Sequence, residues 1–504
     1  MKNSTTTRAF ALILALVLLC TLFAGCSQSK SAAASASTAA ASAKTSASSA
    51  AASSGAASSG SAAASGSAAS SAQPAQNADG TWDQEYKGTT LTFLDVSPSD
   101  TRTGYFTELF KQFEKDTGVS VEYQSVPWDD AANKLTVLGT SNKLPDVLTV
   151  WYGWLGQFTE AGWVEPLSKY IGDTQDQYTE AVTKLYWQSE KTRCGDIYTI
   201  PDGLMVKGIY VRKDWCEAKG IKLDPTKDWT YDDFFDLVAK LTDKSAGTYG
   251  ATYRGARGAL DPILAYMQGY TGGATYDQSG KILINSDECL QAFIKWTDMY
   301  KKGYAPKDSI NWGFTEMVDN FVGGLTGTLC NDSEVAATLI NKMQDSQWMV
   351  MPQPISSKDG INYNTISAPY SYGMSASSQN KGAAWLLMQY MTSAEKQAEY
   401  CKLTGEIPVK KDASNLDYYS ENGYYGTFVR ELNASNLAVP ATYGAFDYTD
   451  LHQGLFHEEI QSYLLGDEDA KTALNNICSA LQERQTQYMK DNPTAKVETA
   501  LTMK

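Results

Sequence analysis

From Ser27 to about Ala78 nearly every residue is Ser, Ala or Gly, and only Lys30 and Lys44 carry charge. With few apolar side chains larger than Ala, this tract cannot bury enough surface to offset the entropy of ordering it, so it reads as a flexible tether. About fifty such residues reach on the order of 35–45 Å root-mean-square. The tract separates a short apolar leader from roughly 425 residues of ordinary globular composition. That is more than one hydrophobic core normally accommodates, so two lobes are expected.

The leader has a positive start, Lys2 and Arg8, and an apolar segment, Ala9 to Leu19, that is too short to span a bilayer. It reads as a secretory signal. Leu22-Phe23-Ala24-Gly25-Cys26 resembles a bacterial lipobox, with Phe23 where Leu is preferred. The resemblance implies a signal peptide over 1–25, lipidation of Cys26, a tether over 26–80, and an extracytoplasmic protein held to the membrane by lipid alone. No other apolar run of about 18 residues occurs.

The formal charge is −15, and −17 once Lys2 and Arg8 leave with the leader, which argues against electrostatic binding of nucleic acid or an anionic membrane. Outside the leader and Cys26, six cysteines remain: Cys194, Cys216, Cys289, Cys330, Cys401 and Cys478. They are widely spaced with no CxxC pair, so buried thiols and disulfides both stay open. The only histidines, His452 and His457, are five apart, which is not the HExxH spacing. No P-loop, G-x-G-x-x-G or G-x-S-x-G motif appears, and no metal or cofactor is expected.

Leu91 to Leu94 reads as a strand, followed by a helix carrying Phe106, Leu109, Phe110 and Phe113 on one face and ended by Gly118. Val119, Val121 and Tyr123 alternate as a second strand. A helix across Ala131 to Gly139 and a buried strand over Asp146 to Val150 then repeat the unit, which implies a parallel sheet and an α/β class. Thr230 with Asp233, and Thr392 with Glu395, read as helix-start capping pairs. The region from Glu458 to about Met489 reads as two helices broken at Gly466.

Several motifs, in order, resemble the family 1 extracellular solute-binding proteins, the sugar-binding lipoproteins of ATP-dependent importers. They are Leu144-Pro145-Asp146-Val147, Ala161 to Leu167, Asp196-Ile197-Tyr198-Thr199-Ile200-Pro201, Tyr210-Val211-Arg212-Lys213-Asp214, Phe321-Val322-Gly323-Gly324 and Gly405-Glu406-Ile407-Pro408. Arg212 and Gly324 depart from the residues usual there. The resemblance implies a two-lobe type II binding-protein fold with crossing hinge segments and the ligand between the lobes. It places lobe 1 at 82–203 plus 351–402 and lobe 2 at 204–350 plus 403–504. It also implies a monomer that delivers a mono- or oligosaccharide to membrane permease subunits and catalyses nothing.

In open α/β sheets ligands sit beyond the carboxyl ends of strands. After the strand ending at Val150 come Trp151, Tyr152 and Trp154, flat rings suited to the C–H faces of a pyranose, and Trp128 follows the second strand. Trp128 and Trp154 line either a cleft or the core. Polar partners for sugar hydroxyls at positions matching the family are Asp202, Asn331, Asp332, Tyr370 and Tyr372, with Arg254 and Tyr448 added from loop context. Asp202 and Asp332 fit a capping or turn role equally. Trp296 and Trp312 are expected in the core. A secreted glycosidase with paired carboxylates, and the same clamp on a polyamine or peptide, are the alternatives.

Overall fold

The computed structural model describes residues 76–503 apart from 78, 369, 421 and 422, so the leader, Cys26 and most of the tether lie outside the described residues. In chain order the strands are β1 (Thr90–Asp95), β2 (Ser120–Ser125), β3 (Val147–Val150), β4 (Thr199–Ile200), β5 (Met205–Arg212), β6 (Tyr249–Ala251) and β7 (Thr326–Asp332). They continue with β8 (Trp348–Met351), β9 (Asn362–Tyr363), β10 (Ile366–Ser367), β11 (Ser371–Met374), β12 (Leu437–Val439) and β13 (Leu501–Thr502). The first sheet has the order β2-β1-β3-β11-β4, the second β10-β5-β7-β6 with β8 on β5, and a small third sheet runs β13-β12-β9.

The expected parallel sheet is only half of what forms. β1 pairs in parallel with β2 and β3, as strand–helix–strand units require, but β11 runs antiparallel to β3 and β4. In the second sheet β5 is antiparallel to β7, β8 and β10, and only β6 and β7 are parallel. The chain leaves the first sheet after β4, builds β5 to β8 of the second, and returns to the first only at β11, which enters between β3 and β4 and runs opposite to both.

Local signals set most helix ends. The helix Asp100–Thr117 starts on the Ser99 side chain and stops at Gly118, whose φ of 74° suits glycine. Thr230 and Asp233 form a reciprocal capping box, and Gly466 separates the helices Leu455–Leu465 and Ala470–Asp491. Thr392 does not start a helix. Its hydroxyl donates back to the Met388 carbonyl at 2.8 Å and closes the helix Lys381–Met391, while Ser393 precedes the next one.

One large apolar cluster joins the first sheet (Phe93, Tyr372) and Phe106 of the helix Asp100–Thr117 to the helix Lys381–Met391 and continues through Tyr210 to Phe321, Leu339 and Phe428. A second covers the other face of β5 with the helices Tyr231–Leu241, Leu260–Thr271, Asp287–Lys301 and Ala470–Asp491. Trp296 and Trp312 are core residues as expected, 5% and 4% exposed. All six cysteines are free thiols.

Candidate functional site

The register brings one set of strand ends together. Asp95 of β1 lies beside Ser125 of β2, and Leu94 of β1 beside Leu148 of β3. Because β11 runs back antiparallel, its first residue, Ser371, faces Val150, the last of β3. Residues after β2 and β3 and just before β11 therefore share one rim.

Trp128, Trp151, Trp154 and Tyr370 meet there, all half-buried. Trp128 stacks on Trp154 with ring centroids 4.9 Å apart and planes 25° apart. Trp151 stands edge-on to both, at 5.6 and 5.7 Å, and Tyr370 stands edge-on to Trp128 at 6.0 Å. Each ring is held from beneath. Trp128, Trp154 and Tyr370 pack against a small core that includes Leu148, Leu155 and Phe158. Trp151 lies across Gly153, where an added Cβ would come within 2.0 Å of the indole. The Trp151 carbonyl accepts the Trp154 N–H at 2.9 Å, which folds the loop into a tight turn before the helix Leu155–Glu160.

Beneath Tyr370 lies a buried polar network that the sequence reading missed. The Arg102 guanidinium sits 4.6 Å from the Tyr370 ring centre and donates to Asp95 at 2.9 Å. It also contacts Tyr400 and lies 3.6 Å from Asp202. The Tyr400 hydroxyl donates to Asp202 at 2.8 Å. Asp202 is therefore a correction: at 1% exposure, with its carboxylate already engaged, it braces the crossing between β4 and β5 instead of facing a guest. Tyr372 is a second correction. It is 2% exposed in the middle of β11, where β3 and β4 flank it and its ring packs near Phe93.

The second sheet contributes a polar group. Lys207 of β5 pairs with Asp332 of β7 at 3.0 Å. Arg254, after β6, donates Nε to the Arg257 carbonyl. Asp261 accepts from the Tyr443 hydroxyl at 2.6 Å and lies 3.1 Å from His452 Nε2. Burial opposes ionisation of Asp261, but His452, Tyr443 and Lys207 outweigh it and hold its pKa down to about 2. Lys207, Arg254, Asp261 and Asn331 surround a cavity of about 20 Å³, enough for one water or hydroxyl group, and the buried Asn331 Nδ2 has no partner. Asn331 and Asp332 lie inside β7, at its carboxyl end, and not beyond it.

Glu334 follows β7, two residues after Asp332. Its carboxyl is within electrostatic reach of Asp332, Lys207 and Arg254, and also of Tyr370. Burial, reinforced by Asp332, raises its pKa to about 7. Glu334, Asp261, Lys207 and Arg102 all escaped sequence reasoning, because no short motif marks a side chain whose partners, such as Asp332 for Lys207, His452 for Asp261 and Tyr400 for Arg102, lie more than a hundred residues away in the chain.

The structure draws Tyr152 and Tyr448 away from the tryptophans to a third cluster. Arg193 lies 4.2 Å from the centre of the Tyr152 ring, whose hydroxyl bonds Ser189 at 2.6 Å. Tyr448 neighbours Arg193, Glu498 and Tyr152. Among the described residues no group of three or more His, Cys, Asp or Glu is placed to hold a metal, and no helix is long and apolar enough to cross a membrane.

Residues 97–398 match the family described as bacterial extracellular solute-binding protein. The erythritol/L-threitol-binding protein of Mycolicibacterium smegmatis is 25% identical over 393 residues, covering 72% of this chain and 80% of that one. In structure, maltose-bound MalE3 of T. maritima superposes with a TM-score of 0.64 at 20% identity, covering 79% of this chain and all of its own. The sugar-binding protein MalE of Xanthomonas citri gives 0.67 at 18%, covering 81% of this chain and 100% of its own. The likeness carries the fold: two α/β lobes joined by crossing segments, with a cleft between them.

Proposed function

Given that this chain belongs to the bacterial extracellular solute-binding protein family, we propose that it captures a neutral mono- or oligosaccharide, or a related polyol, outside the membrane and hands it to an ATP-dependent permease. The observation that carries the reading is the half-buried set of Trp128, Trp151, Trp154 and Tyr370 at the rim of the first sheet. Aromatic contacts of this kind contribute about 0.5–1.5 kcal/mol each beyond area burial. A neutral guest also suits the charges. Arg102 is matched by Asp95 and Asp202, Lys207 by Asp332, and Asp261 by His452 and Tyr443.

In this reading Asn331, Asp332, Arg254 and Glu334 offer hydrogen bonds from the second lobe while the rings stack from the first. Contacts from both lobes exist together only when the lobes close. Moving a 1:99 closed population to 99:1 takes about 5.5 kcal/mol of differential binding, which a few stacked rings and several hydrogen bonds supply. Binding occurs without a covalent step. The lobe limits 82–203 plus 351–402 and 204–350 plus 403–504, the lipid on Cys26 and the monomeric state belong to the same proposal.

The test is a thermal-shift screen of the purified protein against sugars and polyols, with polyamines and peptides as controls, followed by calorimetry. A sugar or polyol should raise the melting temperature and bind without releasing reducing ends. Stabilisation by polyamines or peptides alone, or steady release of reducing ends from an oligosaccharide, would overturn the proposal. Trp151→Ala should weaken the ligand found by tenfold or more while leaving the melting temperature of the free protein nearly unchanged.

A further inference from the structure

The last residues of the chain leave the helix Ala470–Asp491 and touch both halves of the molecule. β13 pairs with β12, and the Met503 side chain packs with Leu185 and Leu437. The Lys184 ammonium donates to the Met503 carbonyl at 3.3 Å. Ala500 lies against Gly273, whose added Cβ would come within 2.6 Å of it.

Glu498 is the centre of this segment. Its Oε2 accepts from the Thr442 backbone N–H at 3.2 Å and from the Thr442 hydroxyl at 2.6 Å. Its Oε1 lies 3.2 Å from Arg193 Nε, with the two side chains only 13% and 10% exposed. These partners belong to different halves. Thr442 is tied to the second core, because Gln268 donates to the Ala441 carbonyl, Thr275 to the Thr442 carbonyl and Tyr276 to the Tyr443 carbonyl. Arg193 is tied to the first sheet. It lies on the helix Trp187–Cys194, from which Trp187 Nε1 donates to the Thr199 carbonyl of β4 and Glu190 accepts the Tyr198 and Thr199 N–H groups.

We propose that residues 492–503 form a clasp between the two lobes, and that Glu498 is a positioning residue that favours their apposed arrangement without touching the ligand. The geometry also brings Tyr152 to this segment. Arg193 covers the Tyr152 ring, directly after the Trp151 platform, so the clasp links the aromatic rim to the second lobe. A ligand that needs both lobes binds with an apparent affinity reduced by the fraction of molecules not apposed. Loosening the clasp therefore weakens every ligand by one common factor, whereas removing a ligand contact weakens ligands unequally.

The test uses the full chain, ligand-free and with each sugar or polyol that stabilises it, comparing wild type with Glu498→Gln, Arg193→Met and the double Arg193→Met, Glu498→Gln variant. Glu498→Gln keeps an acceptor for Thr442 and removes the charge, so it preserves the local fold. The expected result is a larger radius of gyration in small-angle scattering without ligand, and a common loss of affinity of about three- to tenfold across chemically different ligands. In the Arg193→Met background the Glu498 substitution should add little, because the pair acts as a unit. An unchanged radius of gyration, or a loss confined to one ligand, overturns the proposal. The ligand-free scattering decides the clasp even if no sugar binds, which keeps its failure distinct from failure of the carbohydrate reading.

Discussion

Glu431 is buried with Oε1 accepting from the Gln353 N–H at 2.8 Å, Asn362 Nδ2 at 2.7 Å and Asn364 Nδ2 at 3.2 Å, while Oε2 has no partner. Burial outweighs those donors and raises its pKa from 4.5 to about 7. Across that window the folded state holds a proton that the unfolded chain has released. Its contribution is therefore largest below about pH 4.5 and is lost as pH rises toward 7, by on the order of 3 kcal/mol. Chemical denaturation of Glu431→Gln should show a shallower fall in stability from pH 4.5 to 7 than wild type; equal slopes would place the titration elsewhere. Gly153→Ala tests a different residue-scale constraint. Its methyl group displaces the Trp151 indole, so calorimetry should show a loss of ligand affinity similar to that of Trp151→Ala. The contrast between Tyr370 and Tyr372 shows where reading residues one at a time stops. The two are alike in sequence context, yet one precedes β11 at the rim and the other is enclosed by neighbouring strands.

At the scale of elements, nearest-neighbour chemistry was legible wherever a cap or a hydrophobic period decided the outcome. The Thr230–Asp233 box starts a helix that buries Phe234, Leu237, Val238 and Leu241. Thr230→Ala should therefore cost about 1 kcal/mol in denaturant unfolding, with no effect on ligand affinity. Thr392 shows the limit. A threonine followed three residues later by an acid satisfies the start pattern, but the same hydroxyl can bond the preceding turn, and the packing of the helix Lys381–Met391 selected that use. Strand direction was similarly beyond reach. The run over β1 to β3 reads as parallel and is, whereas the antiparallel return of β11 depends on where the chain has been in the meantime.

For the molecule as a whole, six free cysteines mean that no covalent link supports the described fold, so stability rests on the two large cores. The melting temperature should be the same with and without a thiol reductant, and mass analysis after alkylation under denaturing conditions should find these six thiols free. Ligand supplies the external stabilisation: at a hundred times its dissociation constant, a guest that binds only the folded state adds about 2.7 kcal/mol. A melting temperature that rises with sugar concentration in that proportion checks it.

The amino-acid order alone determined the α/β class, most helix limits and the presence of aromatic residues after β3, because each depends on composition or on neighbours within a few positions. Only the tertiary structure decided that Tyr370 faces the tryptophans, that Asp202 and Tyr372 turn inward, that Lys207 meets Asp332, and that Glu498 spans Thr442 and Arg193. Those outcomes join residues far apart in the chain. They follow from strand order and direction, which come from the burial of whole sheet faces and leave no local mark.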